Sequence, residues 1–205
     1  MKPNLLQQGV MTLRMVVESE IASLSMPRQF LIFSDAYLDS ASHLCAVLKR
    51  SPRKLNYPRS SVVLSLAFHA IELFLKAAIL EKASQENVGS HDVQALNKRY
   101  RKLYPGIPYV FRAPFISRDQ ADFTDLFSPE GMREFQDKRK KNPWDQRHRY
   151  PRNRQGQTWN GDVGFEPVSF LIDLKKLKIE IDRLAGLIFS ESTAVKKAGR
   201  KPALP

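Results

Sequence analysis

The stretch "SSVVLSLAFHAIELFLKAAILEKA", Ser60 to Ala83, constrains the fold more than any other part of the chain. From Val62 to Leu80 it holds four clearly polar residues: Ser65, His69, Glu72 and Lys76. A run this long, rich in Leu and Ala and free of Gly and Pro, reads as helix and not as strand. A helix apolar almost all round belongs at the centre of a fold, buried by its neighbours. The pattern predicts a helix from about Ser60 to Lys82. His69, Glu72 and Lys76 keep the run short of the roughly 18–20 uncharged apolar residues that span a bilayer. The start "MKPNLLQQGVMTLRMVVESEIASL" is broken by Arg14 and Glu18 and lacks a secretory core and cleavage site. No membrane association is expected, and a cytoplasmic location is the default.

The four polar residues are not scattered. Ser65, His69, Glu72 and Lys76 follow at spacings of four, three and four, with Ser61 four residues earlier. They form one stripe along the helix. Glu72 and Lys76 are an i,i+4 pair in the favourable order. One reading is a stripe facing solvent. The other is a polar seam facing other parts of the chain, because a buried charge needs partners. Two segments offer partners. "SHD" supplies His91 and Asp92; "RHRYP" supplies Tyr150 and an arginine for Glu72, assigned to Arg147, to form two parallel hydrogen bonds.

Further helices frame this one. Between about Arg28 and Leu48, the residues Phe33, Tyr37, Ala41, Leu44 and Leu48 predict an inward face. "KRSPRKLNYPRS" then interrupts with two prolines. A shorter helix opens at "SHDVQALNKRYRKLY", with Ser90 as N-cap, Asp92 in the first turn, and Val93, Leu96 and Tyr100 inward. "SPEGMREFQDKRKK" predicts another, capped by Ser128. The last has Pro167 at its first position and a seam of Phe170, Leu174, Leu177, Ile181, Leu184 and Ile188. That seam serves a core or an interface. The expected fold is all-α, an up-and-down bundle of four to five helices. Its expected limits are an N-terminal extension over 1–27, a helical domain over 28–190 and a basic disordered tail over 191–205.

Net charge is +12 across 205 residues, and it is localised. Residues 133–154 carry nine Lys/Arg against Glu134, Asp137 and Asp145, a balance of +6; residues 195–205 add +4. Within 141–166, Trp144, Tyr150 and Trp159 interleave with Arg147, Arg149, Arg152 and Arg154, with Lys140 and Lys141 at the edge. Cations for phosphates beside aromatic faces for bases suit a nucleic-acid contact. The plainer alternative is a solubilising loop whose tryptophans pin it to the bundle.

The order H-x-x-E-x-x-x-K (His69, Glu72, Lys76), then an "HD" helix start (His91, Asp92), then "RYP" (Arg149 to Pro151) resembles the HEPN superfamily. The resemblance covers residues 28 to 190 in layout and only the motifs in sequence. It implies a helical bundle, often a homodimer, associated with RNA or nucleotide in prokaryotic stress or defence. It also implies a nucleotidyltransferase-type antitoxin as a partner. Many members are metal-independent ribonucleases with an Arg, four to six residues, then a His. His supplies proton transfer and Arg meets the charge growing on phosphate. None of His43, His69, His91 or His148 has an arginine at that spacing. Lys141, with six residues between it and His148, is the nearest, and a lysine does not replace the guanidinium fork. Any ribonuclease reading therefore falls on His148 with Arg147 and its neighbours.

Other chemistries find no motif. Cys45 is the single cysteine, which excludes a disulfide framework or a cysteine-rich metal site, and its apolar setting predicts a buried small residue. "HAIE" reverses the Glu-x-x-His order of di-iron bundles and has no second copy. There is no Gly-rich phosphate loop and no G-x-S-x-G. No metal and no cofactor is expected.

The sequence thus supports a binding or regulatory module for RNA or nucleotide. Its rivals are a toxin-like endoribonuclease and a dimerisation module of a larger complex.

Overall fold

The computed structural model describes residues 17–114, 148–152, 156 and 165–198, with side chains up to residue 190. The chain is mostly helical, with no β-strand among the described residues. A single turn, α1 (Ser19–Ala22), precedes α2 (Met26–Arg50), α3 (Tyr57–Lys82), α4 (Val93–Leu103) and α5 (Pro167–Ala198). Short 3-10 turns occupy Pro52–Lys54 and Ile107–Tyr109. The helix expected after Ser128 lies outside the described residues.

The prolines of "KRSPRKLNYPRS" start elements. Pro52 opens a 3-10 turn and Pro58 sits in the first turn of α3, where its missing N–H is not needed. The Asn56 side chain accepts the Arg59 N–H at 3.1 Å and caps α3, so the helix begins at Tyr57, ahead of its apolar run. At α4 the cap is Asp92, which accepts the N–H groups of Gln94 and Ala95. Ser90, the expected cap, instead accepts the Asp92 N–H one step earlier.

α3 is the central element and packs on α2, α4 and α5. It is long and apolar enough to cross a membrane by length and composition, yet most of it is buried inside the fold. Ser34 on α2 donates to the Ala70 carbonyl at 2.7 Å, and Tyr37 meets the His69 ring edge-on. Going up α2 thus means going down α3, and the two form an antiparallel hairpin. α5 is antiparallel to α2: Cys45 lies against the Pro167 carbonyl, Asp35 pairs with Lys178, and Arg28 donates to the Phe189 carbonyl. α4 runs in the same sense as α3. His91 meets Glu72, Tyr100 packs on Phe74, and the Tyr104 hydroxyl donates to the Ala78 carbonyl. The stretch from Ala83 to Asp92 returns the chain to mid-level of α3 before α4 starts, so the helices do not simply alternate up and down.

The buried face of α2 is Ser34, Leu38, Ala41, Cys45 and Leu48. Phe33, expected inward, is 49% exposed. Packing against two helices at once turns α2, so Ala41 and Leu48 stay inside while Phe33 turns out. On α5 the residues Leu174, Leu177, Ile181, Leu184 and Ile188 are all buried in the core cluster. Burying side chains of this size stabilises the fold by about 1.5–3 kcal/mol each. That seam is spent inside the chain and is not a surface for a second copy.

Two devices fasten α5. Glu166 caps it by accepting the N–H groups of Val168 and Ser169. Arg183, paired with Glu180, donates to the carbonyls of Pro108 and Val110, and Glu180 accepts the Arg112 N–H. The helix continues to Ala198, beyond the expected boundary at 190. No proline interrupts the sequence there before Pro202.

Candidate functional site

The stripe on α3 turns inward. Ser61, Glu72 and Lys76 are buried and Ser65 and His69 are partly buried, so the solvent-facing reading fails. Glu72, 1% exposed, is the hub. Lys76 Nζ lies 2.8 Å from its Oε1, and His91 Nδ1 lies 2.9 Å from the same oxygen. Arg149 donates to Oε2 at 3.0 Å, and His69 Nδ1 stands 3.4 Å from Oε2. One carboxylate from the central helix thus gathers partners from its own two neighbouring turns, from the approach to α4, and from a segment 77 residues further on.

Local structure explains the convergence. Phe68, His69, Glu72 and Lys76 lie three or four residues apart on one side of α3. His148 stacks on Phe68, with ring centroids 5.7 Å apart and planes within 15°. That contact seats the helical residues His148 and Arg149 one turn before Glu72, and Arg149 then reaches both His69 and Glu72. Tyr37 closes the other side of His69, its ring 4.4 Å away and edge-on.

Burial alone would raise the Glu72 carboxyl above its ordinary value. Hydrogen bonding with His69 and Lys76, and the Lys76 charge, outweigh burial and hold it at about 2. Glu72 is therefore an anion at neutral pH, and a structural one. His69 Nδ1 is shared, lying 2.9 Å from the Arg149 NH2 group. A guanidinium only donates. Its NH2 nitrogen donates to Glu72 Oε2 and also meets the His69 Nδ1 that faces the same oxygen. His91 Nδ1, facing a carboxylate that only accepts, must carry the hydrogen, which leaves His91 Nε2 for another partner. His91 is exposed to solvent.

The structure brings together His69, Glu72, Lys76, His91 and Arg149. It does not place Asp92 in the seam, because that side chain caps α4. Tyr150 is exposed and outside the carboxylate's shell. Among the described residues the arginine on Glu72 is Arg149; Arg147, the arginine assigned from the sequence, lies outside them together with Lys140, Lys141, Trp144, Arg154 and Trp159. Arg152 is exposed and donates to the Gly156 carbonyl. "RHRYP" offers two arginines with equal claim, and the seating of His148 on Phe68 brings Arg149 to the carboxylate. His148, the candidate catalytic histidine, is buried in that stack. No cluster of three or more His, Cys, Asp or Glu suited to a metal occurs among the described residues.

Comparison with known proteins adds no family: no protein-family model matches the chain, and neither a curated protein nor a solved structure does.

Proposed function

We propose that the chain is an HEPN-like, cytoplasmic binding or regulatory module for RNA or nucleotide, in bacterial stress or defence, working as a homodimer. The observation that carries the reading is the Glu72–Arg149 contact. It anchors the C-terminal end of the +6 segment 133–154 on the most buried helix of the fold. A merely solubilising loop has no use for an arginine tied to a buried carboxylate. Fixed at one end, a basic and aromatic segment presents phosphate and base contacts at a defined place.

Binding of a single-stranded RNA to the purified chain, followed by fluorescence anisotropy across a salt series, tests this. Affinity should fall steeply with salt, and neutralising Arg147, Arg149, Arg152 and Arg154 together should abolish it. Absence of RNA and nucleotide binding at low salt sinks the reading and leaves a dimerisation module. The ribonuclease alternative draws less support, because the stacked, buried His148 is not offered to a substrate. RNA cleavage without metal that is lost in His148→Ala would restore it.

A further inference from the structure

Among the described residues the Glu72 cluster is not neutral. Lys76 and Arg149 carry two permanent positive charges against one carboxylate, and all three are held within hydrogen-bond distance. Excess positive charge in a partly buried place is unfavourable unless an anion or water meets it. Arg149 meets Glu72 and His69 only through its NH2 nitrogen. Its Nε–H and NH1 hydrogens have no protein acceptor among the described residues, and its side chain is 24% exposed. His91, on the other oxygen of the same carboxylate, is fixed through Nδ1, which leaves Nε2 for a further hydrogen bond. Its side chain is 60% exposed. Next to Arg149 in sequence, the Tyr150 ring is also 60% exposed.

A donor set for an oxyanion and a fixed imidazole edge thus sit around one anchor, and an exposed tyrosine follows Arg149 in sequence. We propose that this is a site for one nucleotide of single-stranded RNA. The remaining Arg149 donors take its phosphate, and the single excess charge matches a phosphodiester. His91 Nε2 bonds the ribose 2′-hydroxyl, a group that both donates and accepts, and the base stacks on Tyr150. His69 is a positioning residue: its Nδ1, 2.9 Å from the guanidinium, fixes one side of it. The 2′-hydroxyl contact makes the site prefer RNA to DNA, since that group is what separates the two. An acidic peptide would satisfy Arg149 but brings no hydroxyl beside its anion for His91.

The inference rests on the RNA-binding reading but fails separately from it. The probes are a short single-stranded RNA, DNA of the same sequence with uracil bases, and an oligoglutamate peptide, each titrated against the full chain by fluorescence anisotropy. The chain should bind RNA about three- to tenfold more tightly than DNA, the range one hydrogen bond supplies. His91→Phe, at an exposed position, should keep the helical circular dichroism and erase that preference. Arg149→Gln should weaken RNA and DNA alike and reduce the slope of log affinity against log salt by about 0.7, one single-strand phosphate contact. Tyr150→Ala should weaken both without changing the slope. Equal binding of RNA and DNA by the unmodified chain, a preference that survives His91→Phe, or competition by oligoglutamate equal to that of RNA each overturns the site. RNA affinity abolished only by the fourfold arginine replacement would leave the module reading intact.

Discussion

Replacing Glu72 by glutamine removes one charge and almost no volume, so it isolates the electrostatics of the cluster. The carboxyl lies at about 2 in the fold against an ordinary 4.5, which corresponds to about 3 kcal/mol of preferential stabilisation of the anion. Removing one member of a buried ion pair costs about 3–5 kcal/mol, because the partner charge stays behind. Here Lys76 stays behind, only 7% exposed, with Arg149 beside it. Glutamine keeps one acceptor oxygen but turns an amide N–H₂ toward a donor. The expected loss is therefore about 3–4 kcal/mol, a large part of the 5–15 kcal/mol that holds a typical domain. Urea unfolding followed by circular dichroism should show the midpoint fall by about 1–2 M. The pH dependence adds a second check. A carboxyl lowered on folding stabilises the native state above its unfolded value and loses that contribution as pH falls toward its folded value. The gap between the unmodified chain and Glu72→Gln should be full at pH 7 and shrink from about 4.5 down toward about 2. A gap under about 1 kcal/mol at pH 7, or one indifferent to acid, refutes the view of Glu72 as the hub.

Other positions give independent checks. Asp92→Ala removes the cap of α4 and should cost about 1 kcal/mol in the same assay, without altering the Glu72 cluster. Leu177→Ala opens a cavity in the α5 seam, where the side chain is fully buried, and should cost about 2–5 kcal/mol. The Cys45 thiol is pushed up to about 11, mainly by burial and further by the Glu166 charge. Almost no thiolate is therefore present at pH 8, and Ellman's reagent should react at the rate of unfolding, with immediate labelling only in denaturant.

Much of the architecture is legible in the sequence where periodicity is strong. Leu174, Leu177, Ile181, Leu184 and Ile188 mark the buried side of α5 because a heptad-like spacing leaves one face to bury. Val93, Leu96 and Tyr100 do the same for α4. The face of α2 was less legible. Ser34 is buried there through a hydrogen bond to the Ala70 carbonyl, and no hydropathy pattern assigns a serine to a core while turning Phe33 outward. In the site, the spacing of His69, Glu72 and Lys76 marks a single stripe, and the cost of a buried charge points to partners elsewhere. Arg149 answers through the stack of His148 on Phe68, a contact across 80 residues that neither segment encodes alone. Capping was legible in kind and displaced in place. Ser90 and Asp92 both suit a helix start, and the carboxylate, two steps nearer the helix, reaches two N–H groups.

The connectivity of the helices also sets the order in which they can form. α2 and α3 are joined by the short stretch Ser51–Asn56 and meet early, because nearby segments find one another at little entropic cost. Their remaining cover arrives last: the bond from Arg28 to the Phe189 carbonyl joins residues 161 apart. A chain emerging from the ribosome therefore carries a preformed hairpin whose Cys45 side waits for α5. Folding is held open until α5 has been made. A chain cut before Pro167 should be rapidly digested by protease, with its hairpin left as exposed apolar surface. The C-terminal helix acts as the clasp of the fold, and its loss, more than damage at the polar site, turns this chain into a substrate for chaperones.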